Sequence, residues 1–162
     1  MENTINQSHR MASIVLGVND GLIELTGALV GFTFAFKSHD LVALSGLITG
    51  IAAALSMAAS AFMQARHEHE KNAVQAAALT GISYLIVVVF LVAPYVILQD
   101  VFVALPIMFS IALLIIGIIS YFNSIYLKQK FLREFGIMLV FSIGVAAVTF
   151  AIGSGLRFLL PV

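Results

Sequence analysis

Asp20 and Glu24 stand four residues apart inside the apolar stretch SIVLGVNDGLIELTGALVGFTFAF, from Ser13 to Phe36. On a helix that spacing places both carboxyls on one face, one turn above the other. A carboxylate in hydrocarbon is costly or takes up a proton, so such groups face a bundle interior or a water-filled path. These two are the only acids within any long apolar run of the chain. Their chemistry is that of a cation or proton site: ionised, they offer hard oxygen ligands, and protonated, they let a cation go. Asn19-Asp20-Gly21 is a turn-like tripeptide. A local helix break there would add backbone carbonyls beside the carboxylates. The simpler alternative starts the span at Asp20, as the cap of a helix running to Phe36, at the short end of the spanning range. That alternative strands apolar residues 13–18 at the interface and still leaves Glu24 in need of a partner or a proton.

The second apolar run supplies Thr49, Ser56, Met57, Ser60, Met63 and Gln64. Ser56, Ser60, Met63 and Gln64 share one helical face, with Met57 beside it. A thioether is a soft ligand that favours later transition metals, although a methionine in a membrane helix ordinarily just fills space. Met57 gains interest only if its helix packs against Asp20 and Glu24. Next comes Arg66-His67-Glu68-His69-Glu70-Lys71, whose His67, Glu68, His69 and Glu70 offer nitrogen and oxygen ligands for a divalent transition metal. A solvated interfacial charge cluster is the competing reading. With no cysteine there are no disulfides or thiolate sites. No serine–histidine pair, HExxH, P-loop or dinucleotide fingerprint is present. An enzyme therefore lacks its constellation, and no permanently bound cofactor is expected.

These residues need elements that hold them in a bilayer. Of 162 residues, 61% are hydrophobic and only 10% charged, against about a quarter charged in soluble domains. Mean hydropathy is +1.08. The composition excludes a water-soluble globule, and no basic patch suggests nucleic acid. The polar start MENTINQSHR lacks a cleavage pattern, so the first span is expected to act as the insertion signal. Five runs near the ~20 residues needed to cross predict an all-α membrane domain of five helices, at about 13–36, 41–65, 73–98, 101–127 and 135–160. Gln99-Asp100, flanked by Pro94 and Pro106, is the weakest break.

Basic residues divide six to two between the ends of this arrangement: Arg10, Arg66, Lys71, Lys128, Lys130 and Arg133 against Lys37 and Arg157. The imbalance predicts a cytoplasmic N-terminus and a C-terminus outside. Gly17/Gly21 and Gly27/Gly31 on the first helix, and Gly46/Gly50 with the following alanines on the second, mark close-packing faces. Helices one and two are expected to pack together tightly, within a protomer or across a dimer, with the Val-, Ile-, Leu- and Phe-rich helices three to five facing lipid. Tyr84, Tyr95, Tyr121 and Tyr126 read as interfacial aromatics, and Arg157 as a snorkelling anchor.

Asn19-Asp20-Gly21-Leu22, followed by Gly27-Ala28 and Gly31, resembles the first helix of the vacuolar iron transporter (Ccc1-like) family. Leu55-Ser56-Met57-Ala58 resembles the serine–methionine motif of its second helix. The resemblance implies a homodimeric exporter that carries Fe²⁺, with Mn²⁺ or related divalent ions, out of the cytoplasm in exchange for protons. It also implies ion-path roles for Asp20 and Met57. Glu24 is supported by its spacing alone, and Asn19, Ser56 and Ser60 join the path as neighbours. Two departures stand out: the link between helices two and three is only about Arg66 to Asn72, lacking a Glu-rich insertion, and Thr49 stands where the family carries a glutamate. The short chain without a targeting segment points to a prokaryotic cell membrane. The competing function is a non-transporting membrane scaffold, with the acids pairing at a helix interface.

Overall fold

The computed structural model describes residues 2–36, 38–68, 72–126 and 129–159, with the side chains of 2–8 left aside. His69 and Glu70, proposed above as metal ligands, lie outside the described residues. Five helices make up the fold: α1 Glu2–Ala35, α2 His39–His67, α3 Ala73–Ile97, α4 Val101–Tyr126 and α5 Phe131–Leu159. Within them, five segments are long and apolar enough to cross a membrane, the first being His9–Ala35. The chain is a multi-pass membrane protein.

Short links fold successive helices back on each other, and the contacts fix the directions. Gly17 of α1 meets Thr80 and Ser83 of α3, Gly21 meets Val87, and Thr33 meets Tyr95, so α1 and α3 run parallel. Gly27 meets Val145 and Gly31 meets Thr149, so α5 runs the same way. Gly46 lies against Val92, Gly50 against Val88 and Gly81 against Ala58, which makes α2 and α3 antiparallel. Phe34 stacks edge-on against Phe102 near the start of α4, which places that start beside the far end of α1.

The Gln99-Asp100 break is a true turn. Asp100 Oδ1 accepts the Phe102 amide at 2.8 Å, capping α4. Pro94 lies inside the last turn of α3 and Pro106 in the second turn of α4, where each removes one amide from the i to i−4 ladder close to the turn that joins the two helices.

Three expectations need correction. First, α1 packs mainly on α3 and α5, and α2 packs mainly on α3. The glycine seams were legible in the sequence, but their partners were not. The Gly17/Gly21 seam receives α3, and the Gly27/Gly31 seam receives α5. Small residues license close approach without naming who approaches. Second, α3 faces lipid on one side only: Ile82, Ile86, Val89 and Phe90 are exposed, whereas Tyr84, Val87, Val88, Leu91, Val92 and Tyr95 are fully buried. An all-apolar helix reads alike whether lipid or protein surrounds it. Third, Tyr84 and Tyr95 are not interfacial aromatics, since both are fully buried and hydrogen-bonded. Tyr121 and Tyr126, by contrast, are exposed near the end of α4.

Candidate functional site

Helix α1 runs unbroken through Asn19-Asp20-Gly21. The local break expected there is absent, and so is the alternative in which Asp20 caps the span, because the helix begins eighteen residues earlier at Glu2. Gly21 explains why a turn-like tripeptide stays helical: a Cβ on it would lie 3.2 Å from Val87 Cβ. Tight packing on α3 outweighs the weak local preference of the tripeptide.

That close approach brings the Tyr84 ring beneath α1. Its hydroxyl donates to Glu24 Oε2 at 2.9 Å. Tyr84 is fully buried, whereas Glu24 is exposed on the protomer surface and Asp20, one turn below, is half-buried. Burying a phenol in an apolar bundle is tolerable only if its O–H finds an acceptor, and Glu24 is that acceptor. The sequence signal was present but faint. Tyr84 lies in mid-helix rather than at an end, and a mid-span tyrosine needs a polar partner.

The acidic face continues in both directions along α1. Towards the N-terminal end, His9, Ser13 and Leu16 line a groove of about 280 Å³ shared with Gln64 of α2, Glu68 just past its end, and Thr80 of α3. Gln64 Nε2 donates to Glu68 Oε1 at 2.9 Å and orients that carboxylate. Towards the opposite end, Ala28, Gly31 and Ala35 line a cleft of about 310 Å³ against α5. His9, Ser13, Leu16, Asp20, Glu24, Ala28, Gly31 and Ala35 follow one another at steps of three or four residues, a single helical stripe. The two carboxylates sit at its middle, between a polar groove and an apolar one.

The remaining candidates separate into two groups. Met57 is half-buried and packs against the bundle core. Ser56 and Ser60 are exposed on the outer face of α2, so within one protomer they do not close over the carboxylates. Asn19 Oδ1 is buried without a hydrogen-bond partner, as are the hydroxyls of Thr26, Ser120 and Ser142. His67 is exposed at the end of α2, and Glu68 is exposed just beyond it. Among the described residues, no three His, Asp or Glu side chains converge into a metal cage. One protomer therefore offers a pair of acids on an open face rather than a closed site.

Away from the acids, hydroxyls pin the bundle. Thr33 and Tyr95 share a hydrogen bond of 2.9 Å, and Thr33 also donates to Leu29 O at 2.7 Å. Thr149 donates across to Gly27 O at 2.6 Å, tying α5 to α1. At the N-terminal end Arg10 Nε donates to Gln75 Oε1 at 3.1 Å.

Comparison with curated proteins gives no match. The model of the VIT family matches residues 11–72 and 63–154. The two stretches overlap at residues 63–72, across the α2–α3 junction. Between them they take in all five helices, and the protein thus belongs to the VIT family, the vacuolar iron transporter or Ccc1-like family of membrane metal-ion transporters.

Proposed function

We propose that the protein exports a divalent transition metal, Fe²⁺ with Mn²⁺ as a related cargo, from the cytoplasm in exchange for protons. The observation that carries this reading is the pair Asp20 and Glu24 on one outward face of α1, at mid-span, with Tyr84 bound to Glu24 from beneath. Ionised carboxylates attract a cation and protonated ones release it, so one pair of groups couples the two fluxes. Asp20 and Glu24 are the oxygen ligands and Met57 the soft ligand that favours a transition metal over Mg²⁺ or Ca²⁺. Asn19, Ser56 and Ser60 contribute polar lining.

A second copy of the chain completes the site. An acid exposed on the flank of a membrane helix is disfavoured against lipid, and a homodimer covers Glu24, Ser56 and Ser60 together. In this reading the N-terminal groove faces the cytoplasm of a prokaryotic cell, as the basic residues at that end favour. His9, Gln64 and Glu68 then line the mouth through which the metal arrives, doing in part what a longer α2–α3 insertion would do.

The test is metal flux into reconstituted liposomes. Fe²⁺ transport that follows an imposed pH gradient, and that Asp20→Asn removes while the dimer persists, supports the reading. Loss of the dimer with unchanged metal flux favours a scaffold whose acids pair across helices.

A further inference from the structure

A cleft of about 310 Å³ opens between α1 and α5 at the end of the bundle away from the N-terminus. Its walls are almost wholly apolar: Ala28 and Phe32 on α1, Phe36 just past its end, and Ile152 and Leu156 on α5. The one hydroxyl in it, Thr149, is already engaged by Gly27 O. At its mouth stands Arg157, which also lines a second, more polar cavity of about 440 Å³ with Gln99 and Asp100.

The shape follows from the packing. Gly31 and Gly153 bring the two backbones into contact. Beyond that point Phe34 leans away to stack on Phe150 at 4.5 Å and on Phe102. The small side chains of Ala28 and Ala35 leave the other flank of α1 open against α5. From Thr149 to Arg157 the cleft runs about 12 Å along the helix axis, most of one leaflet's share of a ~30 Å hydrocarbon core.

Arg157 has no ion pair among the described residues, and Asp100, the nearest acid lining its cavity, spends one carboxylate oxygen on capping α4. An arginine that only snorkels needs no groove beneath it. Here a cation sits at the rim of an apolar slot one acyl chain long. We infer that this cleft binds an anionic phospholipid, its phosphate on the Arg157 guanidinium and one acyl chain against Ala28, Ala35 and Ile152. The planar guanidinium fork suits a phosphate. The inference does not depend on metal transport. It concerns the apolar half of the α1 stripe, beyond Glu24.

The test is native mass spectrometry of the full-length protein, titrated with phosphatidylglycerol and with phosphatidylcholine of the same chains. Phosphatidylglycerol is expected to be retained several-fold better. Arg157→Gln, at an exposed position, should equalise the two lipids, and Arg157→Lys should restore part of the preference. Ala35→Leu, which fills the slot, should lower retention of both lipids, with the thermal transition of the variant checked to be unchanged. A preference that survives Arg157→Gln overturns the inference. So does efficient cross-linking of Ala35→Cys to a second copy in membranes with no lipid retained, which would make the cleft a protein interface.

Discussion

The Tyr84 hydroxyl donates to Glu24 Oε2 across the α1–α3 seam, 2.9 Å away. One partner is sealed in the core and the other is exposed on the bundle surface. The bond therefore links the packing of α3 to the setting of a carboxylate at mid-span, and it gives a mid-helix tyrosine and a mid-helix glutamate the same explanation.

Tyr84→Phe keeps the ring and removes the bond. If Tyr84 holds Glu24 in place for a cation, the half-saturating metal concentration should rise several-fold, with a smaller effect on maximal rate. Glu24→Gln should cost more. The double variant should be no worse than Glu24→Gln alone, because the tyrosine acts through the glutamate. Additive losses in a flux assay would separate the two residues.

The cross-helix bond from Thr149 to Gly27 O should be modest in strength. Thr149→Val keeps the shape and removes the donor to α1. Helix–helix hydrogen bonds in membranes average about 0.6 kcal/mol and reach about 1.7. Unfolding in mixed micelles should show a loss within that span.

Glycines of the same type should behave oppositely according to their surroundings. A Cβ on Gly153 would strike the backbone of Gly31, whereas one on Gly144 meets nothing within 4 Å. Gly153→Ala should destabilise the α1–α5 contact by about 1–3 kcal/mol. Gly144→Ala should be neutral or stabilising by about 0.5–1 kcal/mol, since alanine is the better helix residue. Thermal stability in detergent distinguishes them.

Much of this architecture could be read beforehand, and the misses share a cause. Hydropathy over ~20-residue runs carries the five helices and their approximate ends. The four-residue spacing of Asp20 and Glu24 gives their common face. Which helix covers which face is not encoded in composition. The Gly17/Gly21 seam shows that a neighbour comes close, but α2 and α3 were equally able to supply it. The same ambiguity hid Tyr84: without knowing that α3 lies under Gly21, nothing points its hydroxyl at Glu24. Asn19-Asp20-Gly21 misled for a related reason, because local turn preference is weaker than tertiary packing. Ser56 and Ser60 were legible as a polar stripe, yet they are exposed on the outer face of α2 rather than gathered with the acids.

Glu68 lines the N-terminal groove, outside the spanning segment and held by Gln64. In the proposed transport its part is to gather cations rather than to carry them across. Glu68→Gln should raise the half-saturating metal concentration several-fold and leave the maximal rate near that of the wild type. The difference should shrink at high ionic strength, as screening weakens attraction between exposed charges.

The central claim is that the α1 carboxylates carry a metal against protons. Its most direct test is Fe²⁺ flux in proteoliposomes under an imposed pH gradient, measured for the wild type and Asp20→Asn at equal protein incorporation. The account predicts flux that follows the size and sign of the gradient and falls about tenfold or more in Asp20→Asn, the loss of a charged ligand at mid-span. Wild-type flux indifferent to the gradient, or an Asp20→Asn variant that transports as well as the wild type, would contradict it.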